Sequence, residues 1–341
     1  MFSLTTGANG FIGSHLTRFL VEQGEKIRVL VRPQSEVRSL EGLPVEFAYG
    51  DLREAHSLPA PLRGVQRVYH VAADYRLWAK NPQEIYESNV TGTRNLLAAA
   101  RQAGIGRFIY TSSVGTLVPP HPRKLPDEQT SLRLKDMIGH YKRSKYLAEQ
   151  EALEAARNGQ PVVIVNPTTP VGPGDWKPTP TGRIILDFLN GQMPAYVDTG
   201  LNFVSVEDVA KGHWLAAERG QIGARYILGD RNLTLKQMLE ILSTLSGRPM
   251  PRLRLPHAVP FLASLADSLA SRLLGREPRI PLEGVRLARH KMFVDSSKAV
   301  RELGFQPTPL EAALDRAIHW YSENGYVKKP LRDRAARECA A

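Results

Sequence analysis

Short apolar segments recur along the first half of the chain, and stretches in which apolar residues return every three or four positions lie between several of them. The apolar segments fall at 1–6, 26–32, 45–49, 67–71, 107–112 and 161–166. The helical patterns lie at 13–24, 82–104 and 141–158. Because strands that alternate with helices form parallel sheets covered on both faces, the pattern predicts an α/β fold with a doubly wound parallel sheet.

The pattern changes after residue 166. Residues 166–180 contain five prolines and predict a long loop. Beyond this loop we predict one strand at 226–228. We also predict three helices, at 181–190, 233–246 and 259–273. We therefore divide the chain into a first domain at 1–166 with a returning strand near 225–229, a smaller mixed C-terminal lobe at 167–328, and a flexible polar tail at 329–341.

The helix predicted at 259–273 carries leucines at helical spacing, namely Leu262, Leu265, Leu269 and Leu273. Such a stripe is typical of a helix that packs against the rest of its lobe, and this is the packing that we expect. The alternative is a helix whose leucines face a membrane surface.

A glycine-rich turn, Gly7-Ala8-Asn9-Gly10-Phe11-Ile12-Gly13, joins the first strand to the first helix. Gly7 allows a tight turn, Gly10 lets the backbone approach a pyrophosphate, and Gly13 lets the helix pack closely on the strand. The helix begins near Phe11 and Ile12, where free N–H groups and the helix dipole favour an anion. Strand, turn and helix in this order predict a Rossmann-type dinucleotide site, although the spacing is GxxGxxG rather than GxGxxG.

Tyr141 and Lys145 lie four residues apart at the start of a predicted helix, so their side chains share one face. An ammonium beside a phenol lowers the pKa of the phenol and makes it a proton donor and acceptor near neutral pH. Ser113 follows the strand predicted at 107–112, at the strand ends where ligands bind in open parallel sheets. Its hydroxyl would hydrogen-bond a substrate oxygen beside Tyr141, with Ser112 or Thr111 as alternatives.

The end of the second predicted strand indicates the cofactor. An acidic residue there would bind ribose hydroxyls and favour NAD(H), whereas this chain has Arg32. A guanidinium pairs with a 2′-phosphate through charge-assisted hydrogen bonds. We therefore favour NADP(H), with NAD(H) as the alternative if Arg32 stacks on adenine or points to solvent.

The chain has 341 residues and a formal net charge of +11, and its basic residues are dense at 248–254, 286–291 and 328–337. A nucleic-acid binder concentrates its charge on one face and often carries a recognised module. We find no such module and expect no nucleic-acid partner. An anionic cofactor and substrate account for part of the charge, and attraction to an anionic membrane surface is a further hypothesis.

The chain has a single cysteine, Cys339, which excludes internal disulfides and fits a reducing compartment. Its first residues lack the basic region of a signal peptide. The longest apolar stretch, 258–274, is interrupted by Asp267 and Arg272 and is not expected to span a membrane. We therefore expect a cytoplasmic protein without a metal site, with peripheral contact to the inner face of the membrane left open.

Together, these elements resemble the extended short-chain dehydrogenase/reductase superfamily over residues 1–328. Within this superfamily, the segment Val29-Leu30-Val31-Arg32 is similar to the dihydroflavonol-reductase-like branch. Longer strings look like the bacterial hopanoid-associated sugar epimerase group: His70-Val71-Ala72-Ala73-Asp74-Tyr75-Arg76-Leu77-Trp78, Met137-Ile138-Gly139-His140-Tyr141-Lys142-Arg143-Ser144-Lys145 and Pro178-Thr179-Pro180-Thr181-Gly182-Arg183.

The resemblance implies a role for each matching residue. Tyr141 would act as acid or base on the substrate oxygen, Lys145 would bind the nicotinamide ribose, and Ser113 would hold the substrate oxygen. The remaining cofactor contacts are implied at Asp51 and Leu52 for the adenine, Ala72 and Ala73 for close backbone approach, Asn89 beside the lysine, and Pro167 and Thr168 near the nicotinamide. It also implies a homodimer formed by the helices predicted at 82–104 and 141–158.

The substrate lobe offers cations for a diphosphate and aromatic rings for stacking. The candidates are Arg183, Arg254, Arg286 and Lys291 for the first, and Tyr75, Trp78 and Tyr196 for the second. Three hypotheses follow: an epimerase or dehydratase acting on a nucleotide-sugar, linked by resemblance to hopanoid lipid synthesis; an NADPH-dependent carbonyl reductase; and a non-catalytic cofactor sensor. The sensor is disfavoured because such proteins typically lose the tyrosine or the lysine.

Overall fold

The structure is a computed structural model, and it describes residues 1–119, 122, 124–274 and 276–328. The tail predicted at 329–341, with Cys339, lies outside the described residues. The strands, in chain order, are β1 Phe2–Thr6, β2 Lys26–Val31, β3 Val45–Tyr49, β4 Arg67–His70, β5 Arg107–Thr111, β6 Val162–Pro167, β7 Thr169–Val171, β8 Ala195–Val197, β9 Gly200–Ser205, β10 Arg225–Leu228, β11 Arg231–Thr234 and β12 Leu253–Leu255.

Eleven α-helices are assigned within the described part of the chain. Their bounds are α1 Phe11–Glu22, α2 Gln83–Tyr86, α3 Gly92–Gln102, α4 Gly139–Arg157, α5 Pro180–Leu189, α6 Val206–Arg219, α7 Leu235–Ser246, α8 Ala258–Leu274, α9 Leu282–Leu287, α10 Ser297–Leu303 and α11 Leu310–Glu323.

Seven parallel strands form the central sheet in the order β10-β6-β5-β4-β1-β2-β3. One face packs on α1 and α6, and the other packs on α3 and α4. Strands β4 to β6 are apolar and almost fully buried, as expected for strands covered on both sides. The predicted doubly wound α/β fold is confirmed, and β10 is the strand that returns to this sheet.

The helix predicted at 82–104 is present but irregular. A π-helical turn at Glu87–Thr91 separates α2 from α3. Such turns insert one extra residue and often occur at functional sites. Here the turn carries Asn89, which is buried and faces α4.

The C-terminal region adds a mixed three-stranded sheet, β11-β9-β7, and a parallel pair, β12-β8. Helices α5, α7 and α11 cover the three-stranded sheet and share one apolar core with it. This smaller mixed sheet matches the predicted architecture. The domain boundary at residue 166 stays a prediction.

Helix α8 forms as predicted, but its leucines do not pack against the lobe. Leu262, Leu265, Leu269 and Leu273 are 51–80% exposed. The residues that face inward are small and polar, since Ser264 and Ser271 are buried. The expected lobe-packing role of this stripe is therefore wrong.

Candidate active site

The glycine-rich turn at the end of β1 has the geometry of a phosphate cradle. Gly7 has φ +66°, and a Cβ at this position would lie 2.6 Å from the Ala72 backbone. A Cβ on Gly13 would lie 2.0 Å from the Gly7 carbonyl oxygen. Gly10 precedes α1 and provides no side-chain cap for it. The first N–H groups of the helix, from Phe11 and Ile12 onward, therefore fit an anion such as a pyrophosphate.

Ala72 and Ala73 follow β4, beside the glycine-rich turn. The Ala72 N–H donates to the Thr6 hydroxyl at 3.2 Å, which fixes the loop after β4 to the end of β1. Both alanines are partly exposed. Their small side chains leave the backbone accessible at the strand ends, which fits the close approach that we predicted.

Asp51 and Leu52 lie beyond β3, near the adenine end of the predicted site. The Asp51 carboxylate forms a 2.6 Å ion pair with Arg53, and this bond holds the pKa of Asp51 below its usual range. Leu52 packs against Gly92 at the start of α3. Arg32 is exposed at the end of β2, and its charge also acts on Asp51.

A second arginine, which we did not select from the sequence, lies on the loop after β2. The Arg38 guanidinium carbon sits 4.1 Å from the ring centre of Trp176. Arg38 and Trp176 line one cleft together with Asn9 and Gly10 of the turn. The signal that could have found Arg38 is its position six residues after Arg32 on the same loop.

Tyr141 and Ser113 meet at the ends of β5 and α4. Burial of the Tyr141 hydroxyl raises its pKa, a hydrogen bond with Ser113 lowers it, and Asp74 raises it further. The lowered pKa that we expected for Tyr141 is therefore wrong for this conformation. The two alternatives to Ser113 have other partners, because Ser112 bonds to Glu149 and Thr111 lies 2.8 Å from His213.

Lys145 lies one helical turn beyond Tyr141 and is buried. Its ammonium donates to the Thr111 carbonyl at 2.7 Å and lies 4.7 Å from the Tyr110 ring centre. Burial lowers the pKa of Lys145 to about 7, against the opposing effect of Glu149. Burial therefore weakens the hold of this lysine on its proton, which reduces the effect that its charge would have on a neighbouring phenol.

Asn89 supports the lysine side of the site through Ser144. Its amide donates to the Ser144 hydroxyl at 2.9 Å and to the Asp74 carbonyl at 2.9 Å. Its carbonyl accepts from the Asp74 N–H at 2.7 Å. Asn89 thereby ties the loop after β4 to α4, next to Lys145.

Pro167 and Thr168 lie where β6 ends, on the neighbouring strand to Ser113. The Thr168 N–H and hydroxyl both bond to the Leu228 carbonyl, at 3.1 and 3.3 Å. The Thr168 side chain also lies against Gly229, where a Cβ would come within 2.6 Å of it. These contacts fix the strand end at which we place the nicotinamide.

The cations proposed for a diphosphate are largely paired with carboxylates. Arg254 and Lys291 converge on Asp198, at 2.9 and 3.3 Å. Arg183 is exposed and acts on the buried Asp175. Arg286 is exposed on α9. The structure thus brings Arg254 and Lys291 together around a negative charge, and it does not gather all four cations at one place.

The three aromatic candidates lie in different surroundings. Tyr75 is 45% exposed and lines the cleft beside Phe11 of the glycine-rich turn. Trp78 is 36% exposed on the same loop. Tyr196 is half-buried on β8 and packs against the core of the C-terminal lobe, so its main role is in packing.

Two buried residues of α4 escaped the sequence analysis. Glu149 accepts hydrogen bonds from Ser112 and from Asn166, which joins α4 to β5 and β6. Lys142 is buried against Gly115, and burial lowers its pKa to about 8. The sequence spacing of Glu149 and Lys142 from Lys145 and Tyr141 could have indicated that they lie near the site. Spacing alone does not show which face of the helix is buried.

Comparison with known proteins agrees with this geometry. The model of the NAD dependent epimerase/dehydratase family matches residues 3–229. A Synechocystis protein named "Putative dihydroflavonol 4-reductase" is 47% identical over 327 residues, 95% of each chain. Sterol demethylase protein B of Methylococcus capsulatus is 40% identical and covers 96% of this chain and 100% of its own.

Among solved structures, a nucleoside-diphosphate-sugar epimerase from Pseudomonas aeruginosa superimposes with a TM-score of 0.79. It is 30% identical, and the match covers 96% of this chain and 99% of that protein. The sequence resemblance to extended short-chain dehydrogenases/reductases and to the dihydroflavonol-reductase-like branch is confirmed. The chain belongs to the NAD-dependent epimerase/dehydratase family and is an NAD(P)-dependent enzyme.

Proposed function

We propose that this enzyme is an NADP(H)-dependent carbonyl reductase that acts on a small-molecule substrate. The observation that carries the proposal is that the Tyr141 hydroxyl lies within the influence of Ser113 at the strand ends, beside the glycine cradle. Both hydroxyls would bond to one substrate oxygen. Tyr141 would donate its proton to this oxygen as the C=O bond becomes C–OH, and the bound nicotinamide would supply the hydride to carbon.

The raised pKa of Tyr141 suits this direction of reaction. A phenol that holds its proton at neutral pH is ready to act as the acid that reduction requires. Lys145 would bind the cofactor ribose and would favour the phenolate once the proton has left. Asn89 would keep Lys145 in place through Ser144.

A carbonyl substrate is favoured over a nucleotide-sugar because of the charges in the substrate lobe. Arg254 and Lys291 already share Asp198, and Arg183 faces Asp175. A diphosphate at these cations would have to compete with the carboxylates. The name of the 47%-identical relative is that of a reductase, which points in the same direction.

NADP(H) is the proposed cofactor. Arg32 and Arg38 are both exposed on the loop beside the glycine-rich turn, and two guanidinium groups at this place suit a 2′-phosphate. The Arg38 guanidinium already packs on the Trp176 ring. Its side chain would therefore lose less conformational entropy when it binds the phosphate.

The test is NADPH oxidation, followed by absorbance, with a panel of aldehydes and ketones as substrates. Tyr141→Phe should lose at least a thousandfold in turnover and still bind NADPH. Tyr146→Phe is the matched control, because Tyr146 lies on the same helix and its hydroxyl bonds only to the Leu132 carbonyl among the described contacts. Turnover that survives Tyr141→Phe would exclude the mechanism.

Epimerisation of a nucleotide-sugar, with its suggested link to hopanoid lipids, is the second candidate. The 30%-identical epimerase structure is the observation that favours it. An epimerase returns the hydride to the other face of the carbon and therefore retains its cofactor. Mass spectrometry of the purified protein separates the two, since a retained dinucleotide would favour the epimerase and an exchangeable NADPH the reductase.

The assembly that we propose is a cytoplasmic homodimer through α3 and α4, which touches the membrane only at its surface. The support for the dimer is family analogy. A monomer by light scattering would exclude it.

A further inference from the structure

Helix α8 carries an apolar face that the described part of the chain leaves uncovered. Five leucines on this helix, Leu262, Leu265, Leu269, Leu273 and Leu274, are each at least 51% exposed. Val259 at its start is 46% exposed. Single exposed leucines are ordinary, but a contiguous set on one helix marks an interaction surface.

The orientation of α8 is held by contacts at its opposite face. The Ser264 hydroxyl donates to the Ile280 carbonyl at 2.8 Å. Asp267 pairs with Arg276 at 2.7 Å, and Phe261 lies 4.8 Å from the Arg289 guanidinium. These contacts join the helix to the segment that leads into α9. The leucines consequently point outward in a defined arrangement.

The basic residues near α8 indicate which kind of surface would complement it. Residues 248–291 contain nine arginines and lysines but only three acidic residues. Arg279 and Arg286 are exposed on the segment and on the helix α9 that contact α8. An apolar stripe on a helix whose neighbouring segments are basic complements an anionic lipid surface, in which the leucines enter the acyl boundary and the cations meet phosphate groups.

We propose that α8 docks this protein on the surface of an anionic lipid bilayer. The helix would lie in the plane of the interface. No helix in the described ranges is long and apolar enough to cross a membrane, so the contact is a peripheral one. A protein partner would be expected to supply an apolar groove, but it would not by itself account for the excess of arginine around the helix.

The docking helix is connected to the catalytic helix. Glu283 of α9 accepts a hydrogen bond from the His140 N–H at 3.1 Å, one residue before Tyr141. Helix α9 also packs directly on α8. Helix α9 therefore connects α8 to the start of α4. This docking does not depend on the proposed reaction, so either can fail without the other.

The test is flotation with phosphatidylcholine vesicles that contain or lack phosphatidylglycerol. We expect the protein to float with the anionic vesicles, to release at high salt, and to stay behind with neutral ones. The double variant Leu265→Asp/Leu269→Asp should reduce binding at least tenfold. The matched control is Ile222→Asp, because Ile222 is 56% exposed but lies outside α8.

Three results would overturn the proposal. The first is no binding of the wild-type protein to anionic vesicles. The second is equal binding by the wild-type protein and the double variant with their folds intact by circular dichroism. The third is that the wild-type protein is a dimer that does not bind vesicles, and that the double variant is a monomer. That result would make α8 an interface between two copies of this chain.

Discussion

The Glu149 carboxylate accepts a hydrogen bond of 2.8 Å from the Asn166 side-chain amide, which links the middle of α4 to the end of β6. The same carboxylate oxygen accepts from Ser112 and Thr116, at 2.5 and 2.8 Å. Glu149 is almost completely buried, with 1% exposure. Arg225 lies 3.4 Å from the other oxygen, so four donors hold this buried carboxylate in place one turn from Lys145.

We predict that Glu149→Gln lowers the pKa of Lys145 below its value of about 7. Glu149 is the charge that opposes the effect of burial on this lysine, and glutamine removes it while keeping a similar shape. The measurement is NMR titration of lysines labelled at the carbon next to the ammonium, with Lys145→Met to assign the signal. If the proposed reaction needs protonated Lys145, the activity of this variant should begin to fall at a lower pH than that of the wild-type enzyme.

Glu151→Gln is the control for that titration. Glu151 lies on the same helix, but it is directed outward and pairs with Arg94 at 2.6 Å. Its loss should leave the Lys145 signal unchanged. An equal shift in both variants would show that general loss of negative charge, rather than the buried carboxylate, controls the lysine.

We predict that Lys142→Met stabilises the protein at pH 7. Burial lowers the pKa of Lys142 from 10.5 to about 8, and its one described side-chain partner is the Met292 sulfur at 3.7 Å. The unfolded chain therefore binds more protons than the folded one between these values, so wild-type stability rises with pH there. The lowered pKa of Lys142 corresponds to a loss in the free energy of unfolding of about 3 kcal/mol at pH 7 and about 2 kcal/mol at pH 9.

Urea unfolding of wild type and Lys142→Met at pH 7, 8 and 9 measures this effect. The variant's advantage should shrink by about 1 kcal/mol over that range, because the folded wild-type lysine loses its proton above about pH 8 and the cost of losing it on folding falls as the pH rises. Lys80→Met is the control, since Lys80 is exposed. If the variant were less stable than wild type at every pH, the contacts of Lys142 would stabilise the fold by more than burial of its charge destabilises it.

We predict that Gly13→Ala abolishes dinucleotide binding and destabilises the fold. Its Cβ would lie 2.0 Å from the Gly7 carbonyl oxygen, so the backbone of the cradle must move. Overpacking of this kind costs about 1–3 kcal/mol. Fluorescence titration with NADPH and thermal unfolding give the two readouts.

Gly106→Ala is the matched substitution for this test. The nearest atom to its new Cβ is the Gln66 carbonyl oxygen at 3.6 Å, which is an ordinary contact. It should bind NADPH normally and change stability by no more than about 0.5 kcal/mol. Normal NADPH binding by Gly13→Ala would show that the turn tolerates displacement and that the cofactor does not depend on it.

Local patterns were sufficient for the fold and for the helix that carries Tyr141 and Lys145. The central strands are buried on both faces, so they stand out as apolar segments in the sequence. The turn at Gly7 to Gly13 was identifiable because its glycines follow a strand and precede a helix. The spacing of Tyr141 and Lys145 likewise needs only a helix, which α4 supplies.

Relations between distant segments were not accessible in this way. Asp198 pairs with Arg254 and Lys291, which lie 56 and 93 positions further along the chain. The leucines of α8 have the same periodicity whether the helix faces a core or solvent, so the pattern alone did not determine which face is buried. Burial also reverses the pKa shift of Tyr141 that the neighbouring lysine suggested, since desolvation depends on the whole fold.

The last prediction concerns Arg38 and the choice between NADPH and NADH. Arg38→Ala should weaken NADPH binding about tenfold or more and leave NADH binding unchanged, since a charge-assisted hydrogen bond contributes roughly 1.5–3 kcal/mol. Arg63→Ala is the control, because Arg63 is exposed and precedes β4, at the opposite end of the sheet from the glycine-rich turn. Fluorescence titration with both nucleotides gives the four dissociation constants. Equal weakening of NADPH and NADH by Arg38→Ala would mean that its contact with Trp176 shapes the cleft as a whole, and that the 2′-phosphate is bound by Arg32 or is not recognised.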